Sequence, residues 1–247
     1  MFTITARLPG ENNKEYSYRV IKEAIMGLEL KPGQHFSEIE LAEALQISRT
    51  PIREVMTNLK EDHLVEVLPQ VGSYVSKINM QLIEEAAFMR FTLERKILKL
   101  ACESFPKQLI FDLKRNVFLQ EELLGQTGRE RDFHKLDLNF HYLMFHAMKK
   151  ENIWNAITRI STHYNRIRLF SEMDHGFEAA VMQHKRIIDI IEKREMDSVD
   201  GIIREHIIEP IKHWEKLFQR DSPFAQYFDL SDQGRIPLNR RVEFFSQ

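Results

Sequence analysis

The sequence is poor in the residues that cross-link or punctuate a chain. Among 247 residues there is one cysteine, Cys102, so no disulfide can form within the chain, and a reducing cytosol suits it. Cys102 lies in an apolar helical run and reads as a small buried hydrophobe. Nine glycines and eight prolines are too few for a fibrous or low-complexity chain. No apolar run is long enough to span a bilayer. The opening MFTITARLPG has neither the basic start nor the apolar stretch of a secretory signal, so a cytoplasmic protein is expected. Charge of one sign is missing too: 35 Lys and Arg face 37 Asp and Glu, for a net charge of -2. That balance says nothing for a nucleic-acid partner, so any such reading must rest on local patches, because phosphate attraction supplies most nonspecific affinity. What is present is a globular composition, 43% apolar and 10% aromatic.

Two parts differ in texture. Residues 14–77 read as three short helices and a β-hairpin. Ile21, Ala24, Ile25 and Leu28 fall at helical spacing, and that helix is expected to stop near Lys31–Gly33. Ser37 and Glu40 form a capping box ahead of Leu41, Ala44 and Leu45. After a tight connection at Gln46 and Ile47, Ser48 is expected to cap a third helix that buries Ile52, Val55, Met56 and Leu59. LVEVLPQVGSYVS then reads as a hairpin turning at Pro69–Gly72. From residue 80 to 219, helical periodicity dominates. Six helices are expected, near 80–104, 107–125, 131–149, 151–172, 175–194 and 196–218, in an antiparallel bundle. The tail, 220–247, has no period and stays unassigned.

The run ISRTPIREV, residues 47–55, holds two arginines four apart around a proline at a helix start. Two helices, a tight turn and a hairpin describe a winged helix-turn-helix, whose second helix enters the major groove by its N-terminus. The face left outside the apolar stripe is Arg49, Arg53, Thr50 and Thr57, suited to guanine edges and phosphates. The competing reading pairs these arginines with Glu54 and Glu61; the segment's eight basic and ten acidic residues favour it. In the bundle, four ionisable residues occupy core positions. Asp137 and His141 share a stripe with Phe133, Phe140 and Met144. His184 falls with Ala180, Ile187, Ile188 and Ile191, and His206 with Ile202, Ile203 and Pro210. Three imidazoles and a carboxylate suit Zn²⁺, Ni²⁺ or Mn²⁺; a hydrogen-bonded core network is the alternative. Arg90 sits among Ala86, Ala87, Leu93 and Ile97, either paired to Glu94 or free to clamp an anion.

The run from Gly27 to Val75, with SRTPIRE, the upstream PG and a P..G..V wing, resembles the DNA-binding domain of GntR-family bacterial repressors. The resemblance implies DNA contacts by Ser48, Arg49, Thr50 and Arg53, with Gly72 letting the wing near the minor groove. The chain departs from that pattern at Ile39, His63, Gln70 and Val71. Arg90/Glu94, the D..FH of Asp137–His141, Asn152, EAAVMQHKRII around His184, and REHI at His206 resemble the FCD effector domain of the FadR branch, in its six-helix VanR-like form. That implies Asp137, His141, His184 and His206 as metal ligands and Arg90 as a carboxylate contact. Asn152, Arg166 and Arg168 would line the effector pocket, and a homodimer would match a pseudo-palindromic operator. A repressor controlled by a small carboxylate is therefore expected. The other classes are a helical metalloenzyme acting on a small acid, or a bundle that only dimerises. Against the enzyme, only Glu172–His175 matches a Glu-x-x-His motif, and no general base stands beside the ligands.

Overall fold

A computed structural model of the chain describes residues 2–68, 71–219 and 221–230. It divides into two compact units. One holds the described residues of Met1–Met80 and Phe218–Asp232; the other holds those of Gln81–Leu217.

The first unit begins with α1 (Asn13–Met26), capped by a reciprocal Asn12/Glu15 box. It stops at Gly27, earlier than the KPG segment. The Ser37/Glu40 box forms as expected and opens α2 (Glu38–Leu45). Gln46 turns the chain in a left-handed conformation, φ 55°. Then α3 (Arg49–Glu61) buries Ile52, Val55, Met56 and Leu59. The expected Ser48 cap needs correction. Ser48 occupies the N-cap position, but its hydroxyl makes no capping bond. The third helical residue is Pro51, which has no N–H to give it.

The hairpin is part of a larger sheet. Strands β2 (Val65–Leu68) and β3 (Gly72–Val75) pair antiparallel, and β1 (His35–Phe36) adds to the other edge of β3, in the order β1-β3-β2. A two-residue strand is too short to show a period-2 pattern, so β1 escaped the sequence reading. Pro69 and Gln70 of the expected turn lie outside the described residues. A further pair, β4 (Ile78–Asn79) with β5 (Phe228–Asp229), runs parallel. Residues 221–230 of the tail thus return to the first unit; 231–247 lie outside the described residues.

The second unit is helical: α4 (Met80–Glu103), α5 (Lys107–Glu121), α6 (Glu130–Ala147), α7 (Glu151–Ile160), α8 (Thr162–His175) and α9 (Glu178–Lys193). The helix expected over 151–172 is two, broken at Ser161, where no glycine or proline marks the bend. The one expected over 196–218 is composite. After α10 (Val199–Ile203) comes a π turn (Arg204–Ile208), then α11 (Glu209–Trp214). In the π turn the Glu209 N–H bonds to Arg204 O, five residues back. Pro210 has no N–H for the His206 carbonyl, so the regular register fails there. Helix α8 is buried over nearly its whole circumference, from Thr162 to Phe170, although it carries His163, Asn165, Arg166 and Arg168. No described helix is long and apolar enough to cross a membrane.

Candidate metal centre and nucleic-acid interface

On α3 the apolar stripe faces the first unit's core, and Ser48, Arg49, Thr50, Arg53 and Thr57 are exposed. The competing pairing with Glu54 does not form, because Glu54 binds Lys14 instead at 3.3 Å. Arg53 reaches Glu38 only at 3.4 Å, and its side chain stays 73% exposed. Arg49 makes no ion pair among the described residues. Two guanidiniums therefore stand open at a helix N-terminus, where N–H groups already favour phosphate. Gly72 begins β3 with φ 144°, and a Cβ there would lie 2.6 Å from the His35 ring. Only glycine fits that approach.

In the second unit, Asp137 and His141 project from α6, His184 from α9 and His206 from the π turn, all buried. One donor atom from each lies within 4.8 Å of the others. The rings are held from behind. His184 Nδ1 meets Gln120 Oε1 at 2.7 Å, and the Gln120 amide donates to Asn116, which fixes its oxygen toward the ring. His206 Nδ1 meets Gln183 Oε1 at 2.8 Å, while Gln183 Nε2 lies 3.5 Å from the Glu205 carbonyl. His141 Nδ1 meets Glu94 Oε2 at 2.7 Å. Each partner presents an acceptor, so each Nδ1 carries the hydrogen and each Nε2 presents a lone pair inward.

Those lone pairs have little else to bind. His184 Nε2 has no hydrogen-bond partner. His206 Nε2 and His141 Nε2 face each other at 3.1 Å, a contact that is unfavourable between two lone pairs and is relieved by a proton or a metal ion between them. Asp137 Oδ1 is 3.3 Å from His184 Nε2 and 3.8 Å from His141 Nε2. Bonds of about 2.0–2.1 Å around a tetrahedral ion place ligand atoms roughly 3.4 Å apart. The residues fit a divalent metal. Burial, with the neighbouring imidazoles next, holds His206 well below the ordinary histidine range, and burial lowers His184 to about 4 against the pull of Asp137. Neutral rings are what a metal requires. Burial would raise Asp137, but Arg168, the largest opposing influence, brings it well below the ordinary range. Glu94, raised by burial and lowered more by Arg90 and His141, ends at about 2.

Beside the cluster lies a cavity of about 470 Å³, with His206 and Arg168 in its wall.

Against protein-family models, residues 85–209 match the FCD domain and residues 15–75 match the bacterial regulatory proteins of the gntR family. The chain belongs to the FCD branch of the GntR family. It is a transcriptional regulator with a winged helix-turn-helix and a helical FCD domain, and not an enzyme. It is similar to the HTH-type transcriptional repressor RspR of Escherichia coli K12, 28% identical over 87% of this chain and 94% of that one. The Nta operon transcriptional regulator of Aminobacter aminovorans is 25% identical over 76% of this chain and 87% of that one. Among solved structures, E. coli McbR/YncC shares the fold at TM-score 0.72 and 16% identity, over 85% of this chain and 100% of that one. A putative GntR regulator from Rhodococcus sp. RHA1 does so at 0.70 and 17%, over 83% and 99%.

The remaining residues expected at the GntR regulator's effector site are placed unevenly. Arg90 is buried, binds Glu94 Oε1 at 2.6 Å and lies over the Tyr164 ring, and its Nη2 has no partner. Arg168 lines the cavity, yet both its Nη atoms bind Asp137 at 2.8 Å. Arg166 is buried against Thr162 O and the His163 ring and does not line the cavity. Asn152 corrects the sequence reading: it is exposed, because α7 buries Trp154 and Ile157 on the opposite side. Sequence reasoning missed Gln120 and Gln183. Gln120 was findable, since Leu113, Asn116, Val117 and Gln120 form the buried stripe of α5, polar at two positions.

Proposed function

We propose that this regulator is a DNA-binding repressor whose operator affinity is set by a small carboxylate effector bound at a metal site in the FCD domain. The observation that carries the reading is the set of three imidazoles, each held at Nδ1 by an acceptor, with Nε2 atoms converging on Asp137. Asp137, His141, His184 and His206 would hold a divalent ion, zinc, nickel or manganese, which supplies a Lewis-acid contact for a carboxylate. Arg168 orients Asp137 through its paired hydrogen bonds, and the buried, unpartnered Nη2 of Arg90 would offer a donor to an anion. Ser48, Arg49, Thr50 and Arg53 would meet the major groove, and Gly72 would let the wing approach the minor groove. A homodimer in the cytoplasm, presenting two such heads, suits a pseudo-palindromic operator. By linkage, the effector changes DNA affinity only as far as it prefers one arrangement of the dimer over the other.

The test is metal analysis of the purified chain beside His184→Ala and His206→Ala, followed by binding to a duplex selected from a random-sequence pool. Wild type is expected to retain about one equivalent of metal and the variants to lose it. Variants that keep full metal content would refute the ligand assignment. Operator affinity that ignores both chelator and carboxylates would refute the control mechanism.

A further inference from the structure

The cavity beside the metal cluster has an unexpected charge for an anion site. Its wall carries the carboxylates of Glu172, Glu178, Glu205 and Glu209 against Arg168 and Lys216, with Glu209 also paired to Lys212 at 2.9 Å. Arg168 is already committed, since both Nη atoms bind Asp137. Glu172 decides the matter. It is only 7% exposed, and its Oε2 is held by His134 Nδ1 at 3.1 Å. Its Oε1 accepts no hydrogen bond, and Arg168 Nη2 stands 3.4 Å off. A buried carboxylate oxygen without a donor is costly, and a ligand that supplies one removes that cost. A second anion placed there would meet repulsion from the wall.

We infer that the effector is zwitterionic: a small amino-acid-like molecule whose ammonium donates to Glu172 Oε1 while its carboxylate end faces the cluster at His206. The inference rests on the proposed effector function of this cavity and narrows its ligand class. The acid-rich wall selects for the ammonium. A hydroxy acid of the same shape lacks the charge that the wall calls for.

Matched pairs that differ only at that group test it: L-alanine with L-lactate, L-aspartate with L-malate, and L-glutamate with L-2-hydroxyglutarate. Each is titrated calorimetrically into the full-length chain, zinc-loaded and metal-free. The amine member of at least one pair is expected to bind about tenfold tighter or more, because a hydroxyl can donate to Glu172 Oε1 but brings no positive charge to strengthen that bond or to offset the acidic wall. Glu172→Gln is expected to bring that ratio to within about twofold while zinc content is unchanged. Should Glu172→Gln fail to fold, Glu205→Gln and Glu209→Gln at the more open rim carry the test, each lowering the ratio. A hydroxy acid that binds as tightly as its amine partner overturns the inference, as does an absence of binding by every amine probe at millimolar concentration. An unaltered ratio in the variants overturns it as well. Failure of the chain to take up zinc counts against the metal reading instead, and the metal-free titrations still decide this one.

Discussion

Replacing Gln120 with leucine isolates the contribution of a residue that touches no metal. In the wild type, Gln120 Oε1 accepts from His184 Nδ1 at 2.7 Å and its amide donates to Asn116 Oδ1 at 2.7 Å. Leucine has similar bulk but neither group. Two effects follow, and they are separable. The metal-free fold loses a buried pair of hydrogen bonds and leaves His184 Nδ1–H and Asn116 Oδ1 unsatisfied, at about 1–3 kcal/mol. The metal site loses the contact that fixes the ring's tautomer and angle, and loss of such partners typically lowers metal affinity about 10–100-fold, or about 1.4–2.7 kcal/mol. The first is read from urea unfolding of the metal-free protein. The second is read by competition with a chromophoric zinc chelator, at a temperature where both proteins are folded. Gln120→Glu keeps an acceptor toward the ring and should retain most of the affinity. Zinc binding by Gln120→Leu within about twofold of wild type would show that the imidazole is not held from behind for a metal.

Other perturbations probe separate parts of the molecule. Arg49→Ala should weaken binding to the selected duplex by about 1–3 kcal/mol at moderate salt, measured by fluorescence anisotropy; unchanged affinity would exclude groove entry by the start of α3. Lys149 sits exposed in the left-handed region at φ 55°, so Lys149→Gly should stabilise the fold by about 0.5–1 kcal/mol, and a lower melting temperature would contradict that. The metal-free protein should lose stability as pH falls from 6.5 toward 4. Below 6.5 the unfolded chain protonates His184, while burial keeps the folded ring neutral down to about 4. A melting temperature that is flat across that window would show that the ring is not buried as described. Gly72→Val should disrupt the wing through both its positive φ and the His35 ring, with proteolysis at the wing as the readout.

Much of this was legible from residue pattern because the physics is local. The Ser37/Glu40 box and the α3 stripe depend on neighbours one turn away, and both formed where periodicity placed them. The four ionisable residues were legible for another reason: charge at a core position is expensive enough to stand out against its stripe-mates. Helix α8 escaped the same logic. Its buried face runs nearly all the way round and is rich in polar groups, so the segment THYNRIRLFSEMDH shows no apolar stripe to read. Its burial follows from its neighbours, and its two arginines are paired: Arg168 across to Asp137, with Glu172 3.4 Å away on the same helix, and Arg166 to Thr162 O and the His163 ring of α8 itself. Asn152 failed in the opposite way, because likeness to a family supplied the residue but not the face of α7 on which it would fall.

His206 shows how a correct residue can be reached through a wrong local geometry. Regular helical spacing placed it on a stripe with Ile202, Ile203 and Pro210, yet the chain there is a π turn, and Pro210 is part of the reason. A proline four residues on withholds the N–H that the His206 carbonyl would use, and the Glu209 N–H reaches back to Arg204 instead. The widened turn is supported from α9 by Gln183, whose oxygen takes His206 Nδ1 while its amide lies against the Glu205 carbonyl and carboxylate. One side chain therefore fixes both the ring's tautomer and the backbone that carries it. A π turn inserted into a helix rotates every later residue relative to those before it. The α10 and α11 segments can thus each bury their own apolar residues while His206, between them, points at His141. The stability given up in an irregular turn is offset only if that ring position is useful, which is the physical reason to place function at His206 rather than at the regular helix around it.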